Sequence, residues 1–265
     1  MKDYKIIDFH IHPFLTNESN ICQHIENSNM SWQNTLTDLK KLGYYKVCGS
    51  VIGKNRNPSW QDVQAQNDEA LELQKLYDGF YIPGFHIHDK FVKESILEVE
   101  RMHKLGIKLV GELVPYLQGW SFRDIGKNLY DILEACDHYG MIIDFHSTAN
   151  DEESMNKMDE MVSRFKNMVF VGAHPSSGEM LKRAFNRMEK CENYYLDWSG
   201  GGLLGRDTLR QAIDLFGKER QVFGSDYPTC NPAMFVGGVA LNYLLSEEEK
   251  EYIFYKNASR LLGIE

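Results

Sequence analysis

The chain has 265 residues, of which 43% are apolar, and its 29 Lys and Arg stand against 38 Asp and Glu for a net charge of −9. With no block of five or more like charges, that balance favours solubility and disfavours a polyanionic partner, so no nucleic acid is expected. No run approaches the roughly 18 apolar residues of a membrane span, and no basic-then-apolar leader precedes Asp8, so neither a membrane segment nor a signal peptide is expected. The five cysteines, Cys22, Cys48, Cys136, Cys191 and Cys230, are odd in number and never spaced C-x-x-C. They suggest neither a disulfide framework nor a thiolate zinc site, and a reduced, cytoplasmic setting follows.

Taken in order, β-branched and aromatic runs alternate with longer segments of helical period. The pattern predicts strands near 4–12, 45–53, 80–88, 107–113, 141–148, 168–175, 194–199 and 221–228. Helices fill the gaps near 31–42, 60–77, 90–105, 125–139, 151–166, 178–190, 206–217 and 232–245. Ser176-Ser177-Gly178-Glu179 and Ser246-Glu247-Glu248-Glu249 fit the capping box, and Gly43, Gly106 and Gly140 stand where helices should stop. Eight strands each followed by a helix read as a single-domain (β/α)8 TIM barrel over residues 1–265, with a doubly wound open sheet as the competing fold.

In such a barrel the working groups come from the C-terminal strand ends. His10 and His12 close the first predicted strand, His86 and His88 the third, Glu112 the fourth, His146 the fifth, His174 the sixth, Asp197 the seventh and Asp226 the eighth. Asp8-Phe9-His10 on the first strand recurs as Asp144-Phe145-His146 on the fifth, directly across the barrel. Strand alternation is expected to put Asp8, His10 and His12 on one face and Phe9 and Ile11 on the other. Two insertions follow strands on the same side. Residues 13–30 are rich in Asn and Ser and contain His24, and residues 114–123 bring Tyr116, Trp120 and Phe122. Lys54 and Arg56, after the second strand, are the best candidates for gripping a substrate carboxylate. The bland alternative for each is local: loop packing for the aromatics, hydration for the basic residues, hydrogen bonding for His86 and His88. Gly200-Gly201-Gly202 could offer N–H groups to an anion or merely form a turn.

The segments IIDFHIH at 6–12, IDFHST at 143–148, VGAHPSSG at 171–178, GSDYP at 224–228 and YKNASRLLGI at 255–264 resemble the amidohydrolase superfamily. The resemblance spans the barrel and is closest to the amidohydrolase-related branch of metal-dependent hydrolases and decarboxylases. It implies that His10, His12, His146 and Asp226 hold one divalent ion, with His174 catalytic or at a second ion. Imidazole nitrogen and carboxylate oxygen suit Zn²⁺ independently of any family. Val110-Gly111-Glu112-Leu113 resembles the segment that supplies a bridging carboxylate in two-metal relatives, which makes Glu112 and His174 candidates for a second ion. Asp8 and Asp144 are expected to orient the imidazoles.

The expectation is a metal-dependent hydrolase of an amide, ester or lactone of a small organic acid, with Asp226 and His174 as the catalytic pair and Tyr116, Trp120, His86, His88, Lys54 and Arg56 around the substrate. The alternative is a metal-dependent non-oxidative decarboxylase of a small carboxylic acid, and a second alternative is a non-catalytic binding barrel. With the first predicted strand beginning by residue 4 and the eighth ending at 228 of 265, the extra β-sandwich of urease-like relatives is not expected. Self-association is left open.

Overall fold

A computed structural model describes residues 3–22, 30–149 and 151–264. All eight predicted strands are present: β1 Ile7–Ile11, β2 Lys46–Gly49, β3 Tyr81–Phe85, β4 Leu109–Leu113, β5 Ile142–His146, β6 Val169–Ala173, β7 Tyr194–Asp197 and β8 Gln221–Val222. Each pairs in parallel with the next in chain order. Three backbone hydrogen bonds close the ring: Phe9 N–H to Phe223 O at 2.8 Å, Asp226 N–H to His10 O at 2.9 Å, and His12 N–H to Tyr227 O at 2.7 Å. An open doubly wound sheet would hold β1 and the stretch after β8 apart, so these bonds decide for the (β/α)8 barrel.

The strands are shorter than the apolar runs that predict them, because seven of the eight runs continue past the strand into the loop at the C-terminal rim, while the fourth, 107–113, ends with its strand at Leu113 and is short at its start. The eight predicted helices are observed as Trp32–Lys41, Trp60–Leu76, Val92–Lys104, Lys127–His138, Glu152–Arg164, Glu179–Lys190, Thr208–Phe216 and Pro232–Ala240. The capping box at Ser246 forms, with the Ser246 side chain taking the Glu249 N–H. The one at Ser176 does not: Gly178 is the N-cap of its helix and no side chain caps it. Ser176 instead faces the mouth of the barrel, where it lines the central cavity. No helix among the described residues is long and apolar enough to cross a membrane. All five cysteines are free thiols.

Two apolar layers hold the barrel. Outside it, Val47, Val110, Ile143, Phe145, Phe170 and Phe223 pack against the helices. Inside it, Ile7, Phe9, Cys48, Leu109, Ile142, Val171 and Val222 form a plug, closed from below by Ala258 and Leu262 of the C-terminal helix Asn257–Leu262. Each Val, Leu, Ile or Phe side chain among these, buried fully, contributes about 1.5–3 kcal/mol. The plug fills the N-terminal half of the barrel, so a cavity and its polar groups can exist only at the C-terminal end.

Candidate metal centre

Two strand irregularities aim the central groups. On β1, Asp8 pairs with Val47 and Ile11 with Gly49, so three residue steps on β1 span two on β2. On β4, Val110 pairs with Ile143 and Leu113 with Phe145, again three steps against two. An extra residue re-aims the side chains that follow it. The expected alternation on β1 therefore fails. Phe9 joins the interior plug while Ile11 packs with the outer layer. Asp8 does not join the imidazoles; its Oδ1 accepts the N–H groups of His10, at 3.1 Å, and Ser225, at 3.0 Å, tying the β1 bulge to the turn after β8. On β4 the irregularity needs Gly111, whose φ is +102° and where a Cβ would lie 2.1 Å from Asp144 O.

His174 and Asp226 are turned inward differently. Each follows its strand with φ +59°, the only non-glycine residues at positive φ among those described. That conformation costs on the order of 1–3 kcal/mol and persists where the surrounding structure demands it. Here it swings both side chains over the cavity.

The groups converge on Glu112. Its Oε2 lies 3.4 Å from both His10 Nε2 and His12 Nε2, and its Oε1 lies 3.1 Å from His146 Nδ1 and 3.3 Å from His174 Nε2. Asp226 Oδ1 is 3.4 Å from His12 Nε2 and 3.9 Å from His10 Nε2, while its Oδ2 is 3.9 Å from His174 Nε2. His10 Nδ1 is hydrogen-bonded to Asp197 Oδ2 at 2.6 Å, and His12 Nδ1 to Ser50 O at 3.1 Å. A backbone carbonyl only accepts, so His12 carries its hydrogen on Nδ1 and points a bare Nε2 inward; the carboxylate does the same for His10.

Those Nε2 atoms are 3.0 Å apart. Two lone pairs repel at that distance unless a proton or a cation lies between them. Edges of 3.0–3.4 Å are what two donors subtend when each is about 2.1 Å from one ion. His10, His12 and Glu112 form a trio with such edges, Asp226 Oδ1 adds a carboxylate oxygen 3.4 Å from His12 Nε2 and 3.9 Å from His10 Nε2, and imidazole nitrogen with carboxylate oxygen suits a divalent cation.

Without a cation, protons carry the compensating charge. Burial works against an imidazolium on His12, yet Asp226 and Glu112 outweigh it and hold its pKa up at about 9. The same contest, against Glu112 and Asp197, raises His10 well above the ordinary range, and Glu112 raises His174. Burial opposes the charge on Glu112 as well, but His10 and His174 hold its carboxyl well below the carboxylate range. Underneath, Asp144 is 1% exposed and lies 3.8 Å from His10 Nδ1, with no hydrogen-bond partner for either oxygen among the described residues. Burial pushes its pKa well up.

A family model of amidohydrolases matches residues 7–264. The chain belongs to the amidohydrolase family. It is thus a metal-dependent enzyme, which removes the non-catalytic barrel. No curated protein matches the sequence. Among solved structures, 2,6-dihydroxybenzoate decarboxylase from Rhizobium superposes with a TM-score of 0.75 at 12% identity, covering 98% of this chain and 99% of that one. The 5-carboxyvanillate decarboxylase from Novosphingobium aromaticivorans, with bound manganese, gives 0.77 at 14% identity, covering 98% and 97%. An uncharacterized TIM-barrel protein from Bordetella bronchiseptica gives 0.73 at 20% identity, covering 98% of both. At these identities the likeness shows the fold.

In this amidohydrolase the other predicted residues separate into two groups. Tyr116 and His146 line both the central cavity and an adjoining pocket of about 500 Å³, whose walls include Trp120 and Phe122. His86 and His88 are buried away from both, with Nε2 bound to Val51 O at 2.8 Å and Gln118 O at 3.0 Å. Lys54 donates to Ile21 O, and it lines a separate groove beside Glu18 and Glu69. Arg56 is exposed and lines neither pocket. His24 lies outside the described residues. Two contributors went unread in the sequence: Thr148, whose Oγ1 is 3.0 Å from His146 Nε2, and Ser199, 3.0 Å from His174 Nδ1. Each stands two residues beyond a recognised polar residue, His146 and Asp197, so period-two spacing carried past the strand end would have flagged both.

Proposed function

We propose that this amidohydrolase is a metal-dependent decarboxylase, a carbon–carbon lyase acting on a small aromatic carboxylic acid in a reduced, cytoplasmic setting. The observation that carries the reading is the pocket walled by Tyr116, Trp120 and Phe122, which opens onto the histidine–carboxylate cluster at His146. A flat ring there would present its carboxylate to the cluster. The decarboxylases of the same fold support this reading over hydrolysis.

His10, His12, Glu112 and Asp226 would hold the ion, which when bound supplies positive charge to bind and polarise a carboxylate or carbonyl. Zn²⁺ suits the imidazoles, and the manganese relative makes Mn²⁺ the second ion to load. In decarboxylation the bond from ring carbon to carboxylate breaks, its electron pair stays on the ring carbon, and a proton takes the vacated position. His174, whose raised pKa keeps a proton at hand, is the donor we assign.

Hydrolysis keeps one specific support. Glu112 offers one oxygen to His10 and His12 and the other to His146 and His174, which is the disposition of a carboxylate shared by two ions. With Asp226 as base, that arrangement suits an amide, ester or lactone. Product analysis separates the two. Protein loaded with Zn²⁺ or Mn²⁺ should release CO2 from a panel of hydroxybenzoates, and turnover only of esters, amides or lactones would overturn the lyase reading.

A further inference from the structure

Ser199 sits behind the cluster at the first residue after Trp198, itself fully buried. Its Oγ lies 2.6 Å from Asp197 Oδ2, 3.0 Å from His174 Nδ1 and 3.4 Å from His10 Nδ1. We infer that Ser199 is a positioning residue that holds a hydrogen on His174 Nδ1, so that Nε2 is the nitrogen turned to Glu112 and Asp226 and the one from which a proton is given. The inference rests on the metal-centre reading above and adds a residue to it.

Counting hydrogens gives the direction. A hydroxyl has one hydrogen, and Asp197 Oδ2, which already takes the Nδ1–H of His10, has none to offer at 2.6 Å. Ser199 therefore donates to Asp197. Toward His174 it can only accept, so the hydrogen in that contact belongs to His174 Nδ1. Were Ser199 to donate to His174 instead, two oxygen lone pairs would face each other at 2.6 Å inside the protein. One carboxylate oxygen thus sets His10 directly and His174 through a hydroxyl, and both imidazoles turn the same nitrogen to the cavity.

The neighbouring residue keeps this contact open. Gly200 has φ +49°, and a Cβ there would lie 2.3 Å from His174 Nδ1. A side chain would push the ring off the hydroxyl. The glycine run after β7 thus admits the imidazole.

The test compares wild type with Ser199→Ala and Ser199→Thr, all loaded with Zn²⁺. Nitrogen-15 spectra of the imidazoles, with His174 assigned by its loss in His174→Gln, should show the hydrogen on Nδ1 in wild type and Ser199→Thr. In Ser199→Ala that preference should be lost, and, because Asp197 behind His10 loses its hydroxyl partner, the Mn²⁺ affinity of the metal-free protein by titration calorimetry should fall about 10–100-fold, with recovery in Ser199→Thr. A wild-type His174 with no hydrogen on Nδ1 would overturn the inference, as would a Ser199→Ala protein with unchanged spectra and affinity. If Ser199→Ala does not fold, the wild-type spectrum decides alone. No product is measured, so hydrolysis rather than CO2 release in the substrate panels leaves this result standing.

Discussion

The chain carries His-x-His twice at strand ends, and the two copies have opposite fates. On β1, His10 and His12 turn their Nε2 atoms toward each other and toward two carboxylates, and charge on both rings is favoured. On β3, the rings of His86 and His88 each end on a backbone carbonyl, and burial with no carboxylate in contact drives the His86 pKa down to about 4. The residue spacing is the same. What differs is the bulge that re-aims β1 and the acidic strand ends facing it, so a His-x-His pair becomes a ligand pair only when the opposing strands bring oxygen.

Substitutions at the carboxylates should break this contrast most strongly. Asp226→Asn and Glu112→Gln should each leave a folded protein that loses turnover and Mn²⁺ affinity together, because both carboxylates would hold the ion, and His174→Gln should lower turnover by about 10²–10⁴-fold, the usual worth of a placed proton-transfer group. Wild-type turnover in Asp226→Asn, on whichever substrate the panels identify, would remove its assigned role. The β1 pair also predicts a pH effect. Because His12 holds a proton up to about pH 9 in the metal-free protein, an entering ion must displace it, and apparent metal affinity should climb as pH rises toward 9.

At β3 the expected effect is on stability. His86 titrates at about 4 when folded and near 6.5 when unfolded, so it contributes stability above pH 6.5 that is lost as pH falls toward 4, on the order of 3 kcal/mol. Urea denaturation of wild type and His86→Gln should diverge least near pH 4 and most near pH 7, with metal content unchanged. Smallest of all, Arg56→Ala should alter stability by no more than about 0.5 kcal/mol, because the side chain is exposed. A large rise in KM for that variant would restore Arg56 as a substrate contact.

The barrel was legible in the sequence because its evidence is local. Each βα unit declares itself by its own period, as Ile142–His146 and Glu152–Arg164 do, and the residue types at the strand ends name their chemistry. What the sequence hid depends on pairing between distant segments. The extra residue in β1 exists only relative to Val47 and Gly49, so alternation along residues 8–12 assigned Phe9 to the wrong side. Glu112 entered as a candidate for a second ion, yet it touches all four imidazoles, since only the closed barrel brings β4 level with β1, β5 and the turn after β6. Ser176 had the spacing of a helix cap but is used at the cavity wall.

Elemental analysis across the two His-x-His pairs tests the central claim most directly. Wild type and a His86→Gln, His88→Gln double variant, purified without chelator, should each carry at least one divalent ion per chain, and a His10→Gln, His12→Gln double variant should carry essentially none. Stoichiometric metal surviving in the β1 variant, or absent from wild type, would contradict the account.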